Sequence, residues 1–281
     1  MKKKGEKLHK FILKEYRELY SDKKFYCAHP HLIVTNGGTW VLIFNKSPRK
    51  EIILHPPSDF EFQNILMISN NEGRTWLKKK RIINKHLTGF ECAGMTPFAK
   101  NGLIINQWQF YWFKENEINK NKLKKGYSFK NFKKEFKSRS SDIKLNTDLK
   151  FEEINFKKLI PKVRLGGQCL INILKNPLDK KYKTIQIPTY PFSGGYGMRG
   201  GVVLKNKEII LPFTDVPYYK KIFIVRSKDN GLTWSKPKLV AKGKNKEFEE
   251  PSIKILPNKN LFMLLRENKS KILHSLFSKD N

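Results

Sequence analysis

Glu250 and Arg266 lie sixteen residues apart, one at the start of an apolar run (Pro251 to Leu256) and one just after the next run (Leu261 to Leu265). If the two runs pair as an antiparallel hairpin, these ends meet. A carboxylate able to move a proton would then sit beside a guanidinium whose planar fork grips carboxylates bidentately. The starts of comparable runs carry His29, His31, Glu91, Gln168, Tyr196, Arg199 and Glu249. Arg199 belongs to Ser193-Gly194-Gly195-Tyr196-Gly197-Met198-Arg199-Gly200-Gly201, where small residues let a ligand approach the backbone. Asp59, after Pro56-Pro57, offers a further carboxylate. Plainer readings stand beside these: a cross-hairpin salt bridge for Glu250 and Arg266, a surface charge for Arg199, and a turn cap for Asp59.

A repeated unit has to position these side chains. A polar or glycine-rich lead, an apolar run, a turn of Asn, Gly or Lys and a second apolar run recur four times. The turns are Thr35-Asn36-Gly37-Gly38, Lys100-Asn101-Gly102, Lys205-Asn206-Lys207 and Pro257-Asn258-Lys259-Asn260. Asn-Gly between apolar runs is a strong hairpin signal, because both central residues need positive φ. Four such hairpins predict an all-β repeat architecture. A second motif, S-x-[DN]-x-G-x-T-W, occurs as Ser69 to Trp76 and Ser227 to Trp234, each after an apolar strand. Its acid or amide can bond its own turn, its glycine supplies a left-handed position, and its tryptophan can plug the space between sheets.

The spacing suggests blades. Tyr182, in a degenerate copy of the motif, lies 52 residues before Trp234 and 106 after Trp76, which would be two periods. Residues 114–160, polar and lysine-rich, occupy the intervening slot and read as an insertion. Ser278-Lys279-Asp280-Asn281 repeats the opening of Ser227-Lys228-Asp229-Asn230, with Asp280 lying 51 residues after Asp229. The expectation is a β-propeller with about five blades begun and the last unfinished, so that the chain is truncated and its ring open. Domain limits follow: residues 1–24 as a basic amphipathic helix, with Leu8, Ile12, Tyr16 and Leu19 on one face, and residues 25–281 as the partial propeller.

Composition narrows the function classes. The 281 residues carry 57 Lys and Arg against 25 Asp and Glu, a formal net charge of +32. The lysines are spread along the whole chain, and no recognised nucleic-acid module is present, so nucleic acid is not favoured as a partner; nonspecific anion binding at low salt is expected regardless. Aromatics at 12% argue against disorder. No apolar run of membrane-spanning length and no secretory h-region is seen, which points to a cytoplasmic protein without a membrane partner. Cys27, Cys92 and Cys169 are scattered and read as free thiols. No metal site or cofactor is expected.

The S-x-[DN]-x-G-x-T-W motif is the Asp-box, or BNR repeat, and the chain resembles the sialidase (neuraminidase) superfamily, in particular the bacterial exo-α-sialidase-like proteins. The likeness runs from about Tyr26 to the end, residues 114–160 excepted. It is also carried by Ile53-Leu54-His55-Pro56-Pro57, by Gly194 to Gly200 and by Phe248-Glu249-Glu250-Pro251. It implies a six-bladed propeller and a retaining glycosidase acting on an acidic, carboxylate-bearing sugar. Glu250 would activate a tyrosine nucleophile, Asp59 would serve as general acid/base, and Arg266 would grip the carboxylate. Arg199, Tyr196, His29 and Glu91 would contact substrate. One departure is plain: the family's Arg-Ile-Pro triplet is replaced by Ala28-His29-Pro30, so that arginine of the carboxylate grip is missing. The family's nucleophilic tyrosine and third arginine would lie beyond Asn281. The alternative is a carbohydrate-binding or scaffold propeller with no catalysis.

Overall fold

The computed structural model describes residues 17–50, 61–77, 81–83, 90–113, 163–192, 194–216 and 218–279. They form antiparallel strands grouped into four sheets that follow one another along the chain. The first sheet runs β1 (Phe25–Val34), β2 (Trp40–Pro48), β3 (Gln63–Ser69), β4 (Arg81–Ile83). The second runs β5 (Phe90–Phe98), β6 (Gly102–Phe113), β7 (Val163–Leu174), β8 (Lys183–Gln186). In the third, β9 (Gly195–Tyr196) and β10 (Val202–Val203) both pair with β11 (Ile209–Asp215), followed by β12 (Lys221–Ser227) and β13 (Lys238–Lys242). The fourth holds β14 (Phe248–Ile255), β15 (Leu261–Glu267) and β16 (Leu273–Ser278). All four expected hairpins are present, as β1–β2, β5–β6, β10–β11 and β14–β15.

The strands alternate because both faces of the inner sheets are buried. Leu103 and Ile105 of β6 face the first sheet and pack with Val41, Ile43, Leu66 and Ile68. Ile104 points the other way, into a cluster with Ile209, Leu211, Phe213 and Phe223 of the third sheet. Ile210 of β11 turns in its own turn toward Phe248, Ile253, Leu261 and Met263 of the fourth. Consecutive apolar residues in β6 and β11 are therefore the signature of a sheet wedged between two others.

Two differences from the sequence reading have physical causes. The 106 residues from Trp76 to Tyr182 hold one described sheet, with residues 114–162 joining its adjacent strands β6 and β7, so four sheets rather than five are begun among the described residues. The insertion lies outside the described residues, as do Leu8, Ile12 and Tyr16 of the expected helix. Residues 17–24 carry no helix. Tertiary contacts hold them across the first sheet instead: the Tyr20 ring sits 5.1 Å from Phe44, and Arg17 Nη1 donates to the carbonyls of Gly73 (3.2 Å) and Arg74 (2.8 Å). These contacts override a weak periodicity.

The two complete S-x-[DN]-x-G-x-T-W segments fold as the same turn. In the second, Ser227 Oγ accepts from Gly231 N–H (2.8 Å) and donates to Asp229 (2.8 Å), which in turn accepts from Thr233 N–H (2.8 Å) and Oγ1 (2.6 Å). In the first, Ser69 and Asn71 bind Gly73 and Thr75 likewise (3.0 and 2.9 Å). Gly73 and Gly231 have φ of 78° and 89°, where a Cβ would be strained. Tyr182 packs against the core between the first two sheets and Trp234 against the next, while Trp76 lies with Tyr20 on the outer face of the first sheet.

The Thr233 side-chain and backbone hydrogen bonds hold the Asp229 carboxyl down to about 2. Asp229→Ala should therefore cost about 1 kcal/mol, a small figure because the turn is partly solvated, measured as a lower urea midpoint at pH 7. Asp229→Asn should cost much less, since Asn71 already serves the first turn in that form. The aspartate's contribution is fully present above its ordinary value near 3.8 and disappears as pH falls toward 2.

Candidate functional site

Three of the hairpins carry a register shift in their first strand: between Ala28 and His31, between Glu91 and Gly94, and between Glu249 and Ser252. Such bulges re-aim side chains at the end of a sheet. In the first and fourth sheets the solution is the same. His29 (φ 53°) and Glu250 (φ 51°) adopt the left-handed conformation, and each precedes a proline. Holding a non-glycine residue there costs about 1–2 kcal/mol, a strain that collects at functional sites.

The fourth hairpin sets Glu249 opposite Arg266. Arg266 Nη1 lies 2.5 Å from Glu250 Oε1 and 3.8 Å from Glu249 Oε2. Burial works against the Arg266 charge, but Glu250 and then Glu249 outweigh it and raise its already high pKa. The Arg266 side chain is 54% exposed, so the pair orders a charged fork at a solvent-facing position more than it stabilises the fold.

His29 approaches from the first sheet. Burial depresses its pKa; a hydrogen bond with Asn45 and the charge of Glu250 oppose this, and Arg199 lowers it further. Glu250 therefore has Arg266 on one side and the His29 imidazole within electrostatic reach. Arg199 is exposed and acts on both His29 and His31. Its backbone is clamped against the second sheet. Asn106 Nδ2 donates to the carbonyls of Gly197 (2.8 Å) and Arg199 (3.3 Å), and Gly201 N–H donates to Thr96 Oγ1 (2.7 Å). A Cβ on Gly200 would stand 1.8 Å from the Met95 carbonyl oxygen, which is why this segment is rich in glycine. Tyr196 is only 4% exposed, its ring 5.0 Å from that of Trp108, and forms a wall of this region within the electrostatic reach of Arg266.

The structure thus brings together Glu249, Glu250, Arg266, His29, Arg199 and Tyr196, which reach the cluster from different sheets. His31 adjoins them, its Nδ1 accepting from Met95 N–H at 3.2 Å and lying 3.4 Å from the Ala93 carbonyl. Glu91 lies in β5 at the equivalent bulge, and Gln168 in β7 opposite Gln109; only their backbones are described. Asp59 lies outside the described residues. Sequence reasoning missed a buried amide relay, in which Asn45 Nδ2 donates to Asn64 Oδ1 and Asn64 Nδ2 to Gln107 Oε1, both at 2.6 Å. Its only signal was an amide at the end of each apolar run, Asn45 after Phe44 and Asn106-Gln107 after Ile105. Cys169 is buried, which pushes its thiol pKa well up and leaves it unsuited to nucleophilic work.

No protein-family profile and no curated protein sequence matches the chain. Solved structures do. A protein of unknown function from Dyadobacter fermentans superposes with a TM-score of 0.64 at 18% identity, over 93% of this chain and 68% of that one. A Hadza microbial sialidase gives 0.59 at 12% identity, over 90% and 44%. Trypanosoma rangeli sialidase in complex with sialic acid gives 0.53 at 15%, over 90% and 36%. The chain therefore has a sialidase-like, all-β fold, and it spans less than half the length of these two sialidases.

His31, like His29, is held below the ordinary imidazole value, chiefly by burial. The fold keeps both rings neutral. Their contribution is complete above about pH 6.5 and is lost as pH falls through their lower folded-state values. The urea midpoint should therefore drop between pH 7.5 and 5, and His31→Gln should flatten that slope. A midpoint that rises toward pH 5 would contradict the assignment.

Proposed function

We propose that this chain is the substrate-holding part of a sialidase-like glycoside hydrolase, built as a β-propeller with Asp-box turns and acting on a terminal sugar that bears a carboxylate. One observation carries the reading: the Glu250–Arg266 pair, set at the strained start of an inner strand, with His29 and Arg199 converging on it from other sheets. The sialidase-like fold supports it. Arg266 and Arg199 would hold the carboxylate, since an arginine fork matches a planar anion. Glu250 would accept the proton of a tyrosine nucleophile, and Asp59 would protonate the leaving group and then activate water. A tyrosine suits this chemistry because an anionic sugar repels a carboxylate nucleophile. Tyr196, buried against Trp108, is assigned to the wall and not to that nucleophile.

A second reading, a carbohydrate-binding propeller without catalysis, is favoured by one residue: Ala28 stands where the Arg-Ile-Pro triplet of the resembled family has its arginine, so that cation of the grip is missing. Release of sialic acid from a fluorogenic sialoside, measured with the part that bears the tyrosine nucleophile present, separates the two. For the hydrolase, Glu250→Gln should lower kcat by at least about a hundredfold with KM within a few-fold of wild type. Binding of sialic acid without turnover, lost in Arg266→Ala, would establish the binding module. A natively melting chain that neither binds nor cleaves would refute both.

A further inference from the structure

One strand position in each sheet is set by register, two residues after the one that closes the first hairpin: Val41 after Thr39, Ile104 after Gly102, Ile210 after Glu208 and Phe262 after Asn260. Val41 packs with the second sheet, Ile104 with the third and Ile210 with the fourth. Ile104 stands opposite Ile173 of β7, and this pair reaches the S-x-[DN]-x-G-x-T-W turn of the third sheet. A Cβ on Gly231 of that turn would lie 2.8 Å from Ile104 Cδ1 and 3.3 Å from Ile173 Cδ1. The isoleucines form a knob, and the turn with Trp234 forms its socket. Phe262 and Phe277 are the equivalent pair of the fourth sheet, opposite one another with ring centroids 5.0 Å apart. Among the described residues neither ring joins the apolar clusters between sheets, and Leu264, Leu273 and Phe277 on that face are exposed. The matching socket is in the first sheet. Gly73 and Trp76 hold the places of Gly231 and Trp234 there, on the face turned away from the second sheet. A Cβ on Gly73 would meet the Trp40 and Trp76 rings, and no isoleucine of another sheet is among those nearest neighbours. Beside it lies an open groove of about 330 Å³, lined by Leu19, Leu32, Trp40, Gly73, Arg74 and Trp76.

We propose that the protein self-associates head to tail: the Phe262–Phe277 knob of one copy enters the Trp40–Trp76 groove of the next. The contact repeats between molecules what Ile104 and Ile173 do to Gly231 within one. The partner is a second copy because the chain itself carries the complementary surface. Knob and groove are different patches, so the contact is heterologous and each copy in a pair keeps one free half. Assembly therefore continues into chains or rings of copies instead of stopping at an isologous dimer. Two effects set its strength. Aromatic anchors in apolar grooves dominate the energetics of interfaces. The net charge of +32 repels a like copy, and salt screens that repulsion, so association strengthens as ionic strength rises. The inference is independent of the roles assigned to Glu250 and Arg266.

The test is analytical ultracentrifugation of the full chain over a wide range of concentration, at low and at high salt. The average mass of wild type should rise continuously past that of a dimer, and more steeply at high salt. Phe277→Asp removes the knob and Leu32→Asp spoils the groove, both at exposed side chains. Each alone should weaken association at least about tenfold. Each keeps the half that the other lacks, so an equimolar mixture should form a 1:1 complex that grows no further. Leu239→Asp changes an exposed leucine of β13, away from both surfaces, and should associate as wild type does, which separates the surfaces from the change in charge. Thermal melts establish that each variant is folded, with Leu264→Asp and Leu32→Ser as replacements for one that is not. Three results would overturn the proposal. They are a wild type that stays monomeric at every concentration and salt, a mixture of the two variants no heavier than its parts, and an association that Leu239→Asp weakens as much as Phe277→Asp does. A wild type that stops at a dimer and keeps it in Leu32→Asp would overturn it as well, by placing fourth sheet against fourth sheet.

Discussion

A sheet that is covered on both faces must be apolar at consecutive positions, and the sheets of this protein stack through that constraint. Leu103 and Ile105 bury toward one neighbour while Ile104 buries toward the other, and Ile209, Ile210 and Leu211 repeat the pattern in the third sheet. Each sheet is thereby fixed against the next, and the starts of the inner strands are carried to a common region. The chemistry of the site depends on that stacking, because its charged groups belong to different sheets and meet only when the apolar faces are in place. Among the described residues, Phe262 and Phe277 pair at 5.0 Å on the face of the fourth sheet opposite Leu261 and Met263, with Leu273 and Phe277 each 66% exposed.

The site is also an exception to the regularity that builds it. Strand register breaks at the bulges before His31, Gly94 and Ser252, and the backbone at His29 and Glu250 takes a conformation that side chains with a Cβ normally avoid. The proline after each holds the chain extended as it re-enters the ladder. The glycines from Gly194 to Gly201 serve a different purpose, close approach of backbone to backbone, which lets Asn106 and Thr96 clamp the segment that presents Arg199. Stability is given up locally to aim three charged groups, and the apolar layers beneath offset the cost.

The electrostatics of the site differ from those of the surface. The formal charge of +32 is spread over the chain and attracts anions without selecting among them. Selection needs fixed geometry, and Arg266 has it because Glu249 and Glu250 hold its fork. The buried amide relay from Gln107 through Asn64 to Asn45 ties the first two sheets together beneath the site. Its amides are fully buried, where a hydrogen-bond chain with one consistent direction is much less costly than an unpaired group.

The sequence by itself determined what depends on neighbours along the chain. Hairpins were legible from Asn-Gly and Lys-Asn turns between apolar runs, the two S-x-[DN]-x-G-x-T-W turns from their own residues, and the meeting of Glu250 with Arg266 from hairpin geometry, since all of these are closed by contacts within a few dozen residues. Tertiary structure alone decided the rest. His29 and Glu250 are 221 positions apart, and only the stacking of sheets sets one within the field of the other. The relay from Asn45 to Gln107 crosses two sheets and leaves no periodic trace. Residues 17–24, read as part of a helix from the spacing of Leu8, Ile12, Tyr16 and Leu19, lie instead along the first sheet, because Arg17 and Tyr20 find partners there that no local pattern encodes. Periodicity reports which face of a strand is buried; it carries no information on which distant strand covers that face, and the chemistry of this site resides in that second fact.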